Sequence, residues 1–203
     1  MNSAMTPMLV FFLEELSAKT LLESLLPRLL GDLAIEIQFI VFEGKSDLDK
    51  KLERRLRGWL RPNSLFVVLR DQDSADCIQI KESLVQKCVA AGRPDVLIRI
   101  ACAELESWYL GDLEATEQAL GLSHLSRQQM SRKYRDPDAR VGNAAQELER
   151  MTAGTYQKVS GSREIGKYLS LDTDRNKSRS FRVFLKGIMR LVRPYTNGVG
   201  EDV

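Results

Sequence analysis

Over its first 115 residues the chain alternates between two hydrophobic rhythms. Met8–Leu13 and residues 35–42, 65–69 and 96–102 are short runs of apolar and β-branched residues. Strands buried on both faces of a parallel sheet take this form. Between them the apolar residues fall at helical spacing. Leu21, Leu22, Leu25, Leu26 and Leu29 share one side of 18–30; Leu48, Leu52, Leu56 and Trp59-Leu60 recur in a second helix; Ile78, Ile80, Leu84, Val85 and Val89 recur in a third. Ser17 and Ser46-Asp47 are the expected N-caps of the first two, and Gly92-Arg93-Pro94 is the expected stop of the third.

The order β-α-β-α-β-α-β predicts an α/β fold, an open parallel sheet flanked by helices, with ligands outside the carboxyl ends of the strands. After Trp108 the pattern predicts helices only: Leu113–Leu120, Ala144–Met151, 163–169 and 178–192. The last carries Phe181, Phe184, Leu185, Ile188, Met189 and Val192 on one face. The polar segment 123–143 is expected as a mobile loop. The expected organisation is an α/β domain over 1–115 with a basic, helical C-terminal subdomain over 116–203 packed on it.

Charge sharpens that division. Residues 123–203 carry 16 Lys/Arg against 9 Asp/Glu, whereas 1–122 carry 14 against 19. An acidic front half and a basic tail half suit a metal site that faces a polyanion. Three cysteines without a CxxC pair predict free thiols in a reducing cytoplasm, and no apolar run is long enough for a membrane span. The single histidine, His124, removes a His-dependent triad and a two-His zinc site, so hydrolytic chemistry falls to carboxylates.

Those carboxylates follow the strands. Glu14-Glu15 follow the first, Glu43 the second, Asp71-Gln72-Asp73 and then Asp76 the third, and Glu104-Leu105-Glu106 the fourth. Several carboxylates on one edge cannot all ionise without a cation, and their hard oxygens suit Mg²⁺ or Mn²⁺. If the first and third strands are neighbours, Glu14 faces Asp71 and Asp73, whose i, i+2 spacing puts both on one side of an extended segment. Glu15, Glu43, Asp76, Glu104 and Glu106 are further metal candidates, and Lys45 and Arg70 flank the acids.

F-F-L-E-E and V-V-L-R-D-Q-D-S-A-D resemble the glutamate and D-x-D motifs of the toprim domain. F-E-G-K-S-D-L resembles the toprim opening when taken alone, yet it follows the second strand, so Glu14 takes the primary place and Glu43 a peripheral one. Together with E-L-E-S-W-Y-L-G-D and N-K-S-R-S-F, these segments resemble the toprim-like "domain of unknown function 4276" family nearly end to end. The resemblance implies a Mg²⁺/Mn²⁺-dependent nuclease, with Glu14, Asp71 and Asp73 as metal-binding and catalytic residues and Lys45 beside them. It also implies an ATPase partner and a role in anti-phage defence. Glu15 stands where a glycine usually follows the glutamate, and Ser74-Ala75 where one follows D-x-D.

The expected nucleic-acid contacts are Arg70, Lys158, Arg163, Arg175, Lys177, Arg179 and Arg182, with Ser178 or Ser180 donating to phosphate at a helix start. The alternative is a non-catalytic metal- or nucleic-acid-binding subunit of an ATPase complex, and a homo-oligomer is compatible with either. A phospho-acceptor receiver domain fits less well, because no fifth strand carries its lysine. Gly161-Ser-Arg-Glu-Ile-Gly166-Lys167 mimics a P-loop but has Tyr168 where Ser or Thr is needed and no preceding strand. Asp172-Thr-Asp174 mimics a calcium loop but lacks its glycine and its glutamate. Trp108 and Tyr109 are expected as packing wedges between the two halves.

Overall fold

A computed structural model describes residues 6–196, so both ends of the two expected segments, 1–5 and 197–203, lie outside the described residues. Strands β1 (Met8–Leu13), β2 (Glu36–Val41), β3 (Ser64–Asp71) and β4 (Leu97–Ala101) form one all-parallel sheet in the order β2-β1-β3-β4. β1 is central and buried along its whole length. Its alternating side chains divide between the two faces. Leu9, Phe11 and Leu13 enter one core, while Met8, Val10 and Phe12 enter the other.

The second core lies under helices α2 (Lys45–Arg57) and α3 (Cys77–Ala90). The first is larger and joins both halves of the chain. It packs α1 (Leu16–Leu30) with α4 (Glu106–Leu110), α5 (Leu113–Leu120), α7 (Ala144–Met151), α8 (Lys158–Gly166) and α9 (Arg179–Val192). α8 lies along α1, and α9 covers β4. Trp108 and Tyr109 are fully buried; the Trp108 ring stands 5.2 Å from Phe181 and 5.0 Å from Phe184.

Several local expectations change. Ser17 lies inside α1, which Glu15 precedes, and its hydroxyl donates to the Glu15 carboxylate. α2 starts at Lys45, so Gly44, at φ 95°, is its cap residue and Ser46-Asp47 fall in its first turn. α2 stops at Arg57, which leaves Leu60 92% exposed. On α3 the buried face is Ile80, Leu84 and Cys88, a four-residue step that the sulfur completes. Ile78, 68% exposed, turns outward with Val85 and Val89. On α9, Met189 is also exposed at the margin of the buried face.

The segment 123–143 is not featureless. Tyr134 is buried, Gln129 bonds the 110 and 134 carbonyls, and a short helix α6 (Pro137–Arg140) follows. The P-loop mimic lies within and just after α8, where its glycines serve close packing. A Cβ at Gly161 would fall 2.5 Å from the Tyr156 ring, and one at Gly166 would fall 2.7 Å from the Leu21 carbonyl. Among the described residues no helix is long and apolar enough to cross a membrane.

Candidate functional site

The register Leu13↔Leu69 sets the end of β1 beside the end of β3. Glu14 therefore meets the turn that follows, and its Oε2 accepts the Asp71 backbone N–H at 3.2 Å. Arg70 stands 3.9 Å away, and its Nη1 donates to both Asp49 oxygens at 3.0 Å. Burial first, with Asp73 and Glu15 adding to it, pushes the Glu14 carboxyl above its ordinary value; the Asp71 N–H and Arg70 pull it down.

Asp71 lies at the centre of a denser group. Burial holds its carboxyl well above the usual carboxylate range, and Glu106, Glu15 and Glu14 push in the same direction. Glu106, the first residue of α4, is fully buried. Its Oε1 accepts from the Tyr156 hydroxyl at 2.8 Å, while its Oε2 has no hydrogen-bond partner. Burial raises Glu106 too, and Lys158 is the main influence that opposes it. Lys158 Nζ reaches across from α8 to Glu15 at 2.7 Å. One lysine thus serves three carboxylates, Glu15, Glu106 and Asp71, of which Glu106 is fully buried and Asp71 half-buried. Tyr156, Lys158 and Glu106 also line an open cleft of about 390 Å³ beside α7.

Asp73 departs from the expected geometry. β3 ends at Asp71, and Asp73 takes a left-handed φ of 53° while its N–H bonds the Ala103 carbonyl at 2.7 Å. Strand alternation stops there, so the even spacing no longer puts Asp71 and Asp73 on one side. The Asp73 carboxylate instead accepts from Lys45 Nζ at 2.8 Å.

The other predicted acids divide by use. Asp76 caps α3, accepting from the Ile78 and Gln79 N–H groups at 2.8 and 2.9 Å. Glu104 accepts the Ala145 N–H at 2.8 Å, at the start of α7. Glu43 is exposed, and its side chain makes no hydrogen bond or ion pair among the described residues. No group of three or more His, Cys, Asp or Glu side chains among the described residues stands ready-made to hold a metal ion.

The basic residues scatter. Lys158 alone of the predicted helical-half cations reaches the acids; Arg163, on the same helix, stands 4.0 Å from Glu23. Arg175 pairs with Glu114, Lys177 donates to the Asp174 carbonyl, Arg179 is exposed and Arg182 is half-buried. The start of α9 is closed to phosphate. Ser178 and Ser180 are buried, and the Ser180 N–H is already taken by the Asp138 carboxylate at 2.7 Å. The Ser180 hydroxyl accepts from the Trp108 indole at 2.9 Å, so it is a packing group.

Tyr156 is the residue that pattern analysis misses. It lies 50 positions from Glu106, among polar residues, and only the fold reveals the pairing. Neither a search of curated proteins nor a search of solved structures returns a match. The family model described as "Domain of unknown function (DUF4276)" matches residues 13–189, a span that takes in every carboxylate of the edge as well as Tyr156, Lys158 and most of α9, and the chain belongs to that family.

Proposed function

We propose that the acidic edge is the active site of a toprim-like nuclease that hydrolyses nucleic-acid phosphodiesters with Mg²⁺ or Mn²⁺. One observation carries this: Glu106 is fully buried with an oxygen left without a partner, and half-buried Asp71, Glu15 and Glu14 crowd around it. A buried carboxylate oxygen of this kind costs free energy unless a cation or a proton meets it.

The donor set fits a hard divalent cation, for which Glu14, Asp71 and Glu106 are the proposed holders. Bound there, the ion would supply Lewis-acid polarisation of the phosphate and a water of lowered pKa. The chain's own residues do the rest. Tyr156 fixes Glu106 by its hydroxyl, and Lys158 puts positive charge next to Glu15 at the cleft. Raised as they are, Asp71 and Glu106 retain protons to higher pH than free carboxyls, and these must leave before a cation binds. Lys45, exposed and held on Asp73, can turn to an incoming phosphate.

Incubation of plasmid and RNA with Mn²⁺ tests the proposal. Glu14→Ala or Asp71→Ala should slow cleavage on the order of a hundredfold or more. Undiminished cleavage by the double variant would place the activity elsewhere. A second reading, a non-catalytic subunit of an ATPase complex, is favoured by the engagement of Asp73 with Lys45. Binding without cleavage, unchanged when an ATPase encoded beside the gene is added, would select it. Cleavage that appears only with that ATPase would support a two-component defence effector.

A further inference from the structure

Away from the acidic edge, the solvent face of α2 carries charge that nothing nearby neutralises. The helix has three acids, and each is already engaged: Asp47 by Lys51, Glu53 by Arg57 and Asp49 by Arg70. Arg54 and Arg55 are exposed, and their guanidinium groups make no ion pair or hydrogen bond among the described residues. Lys50 is exposed as well and only contributes to the field around Asp47.

Their positions have a direction. Lys50, Arg54 and Gly58 follow an i, i+4, i+8 row, and Arg55 flanks it. Successive members of such a row lie about 6 Å apart, close to the spacing of phosphates along a strand. The helix that carries the row begins at the acidic edge, where Lys45 pairs with Asp73. At its far end a side chain is missing at Gly58, and a groove of about 360 Å³ opens between Arg54, Arg55, Trp59, Ile40 and Phe12. Its walls combine an indole and apolar side chains with two unpaired guanidiniums. Flat apolar surface next to guanidinium is what one nucleotide needs, with its base on the apolar wall and its phosphate on the cations.

We propose that the α2 face binds a single strand of nucleic acid, with Lys50 and Arg54 on successive phosphates, Arg55 beside Arg54, and a base seated against Trp59 and Ile40. This rests on the acidic edge being a phosphodiester site, and it extends the substrate's footprint about 14 Å along α2 from Lys45 to Arg54. An apolar seat favours unstacked bases, so a single strand should bind more tightly than a duplex of the same length.

Binding of a fluorescent oligonucleotide measured in EDTA, across a salt series, tests this without any cleavage. Lys50→Ala/Arg54→Ala/Arg55→Ala should bind about tenfold or more weakly and show a salt slope shallower by about two. Arg54→Lys/Arg55→Lys should restore most of the slope, with thermal melts confirming that each variant is folded. An unchanged affinity and slope in the triple-alanine variant, or tighter binding of duplex than of single strand, would overturn the proposal. Cleavage by the wild-type protein in that same case would leave the nuclease assignment standing. Binding that depends on Lys50, Arg54 and Arg55, with no cleavage under any metal, would leave the α2 site standing and remove the nuclease.

Discussion

The two sides of Glu14 treat carboxylates in opposite ways. On the α2 side, Asp73 and Asp49 meet Lys45 and Arg70 one to one, at the rim of the sheet. On the α4 side, Glu106 is sunk beneath the helical half with Asp71 half-buried beside it, and the two share the reach of one lysine that is bound to a third acid. The first side is a surface already neutralised. The second holds charge in reserve, because burial raises the cost of ionisation while too little positive charge offsets it. A divalent cation gains most where protein cations are fewest, so the α4 side is the place to look for it.

The largest test of that contrast is the cation itself. At about a hundredfold above its dissociation constant, Mn²⁺ should stabilise the wild-type protein by about 2.7 kcal/mol. For a chain of this length, that is a rise in melting temperature of roughly 5–10 °C. Asp71→Asn and Glu106→Gln should lose most of the rise, and Asp73→Asn should keep it. Equal shifts in all three would erase the distinction between the two sides.

Next in size is Tyr156→Phe, which removes the one hydroxyl that donates to fully buried Glu106 among the described residues. A loss of about 1–3 kcal/mol is expected in urea melts without metal. A smaller, opposite effect is expected of Asp71→Asn, which should stabilise the metal-free protein by about 1 kcal/mol near neutral pH. The sign follows from linkage. A carboxyl with a raised folded pKa binds its proton more tightly folded than unfolded, so its contribution falls as pH rises from the unfolded value, about 4, through the folded one. The advantage of Asp71→Asn should therefore vanish near pH 4 and grow toward pH 7 in parallel melts.

The smallest expected effect lies on the neutralised side. Lys45→Ala breaks an exposed pair and should leave the melting temperature almost unchanged. A larger loss would mean that Lys45 and Asp73 are coupled to the buried group.

Sequence periodicity was sufficient for the sheet and for the helices with long apolar faces. Met8–Leu13, Leu113–Leu120 and Ala144–Met151 begin and end where the pattern predicts, and β1 and β3 are neighbours, as a ligand site between Glu14 and Asp71 requires. It failed where side chains left the repeating geometry. Asp73 leaves the side that strand alternation predicts because β3 ends at Asp71 and the following turn is fixed by the Asp73 N–H bond to the 103 carbonyl. The Ser178 and Ser180 hydroxyls looked available because burial of a small polar residue leaves no mark on a hydrophobic pattern. Tyr156 and Lys158 were beyond reach as partners of Glu106 and Glu15, since α8 meets α1 only in three dimensions.

That meeting of α8 with α1 also sets a clock. The strand-end acids are all translated by residue 106, whereas Lys158 and Tyr156 come roughly 50 residues later. At about 5–20 residues per second, a nascent chain holds the acids without their lysine and phenol for roughly 3–10 s. During that interval Glu106 lacks the helical layer that buries it. The edge therefore reaches its final electrostatic state only after residues 156–166 have been made and α8 has docked on α1.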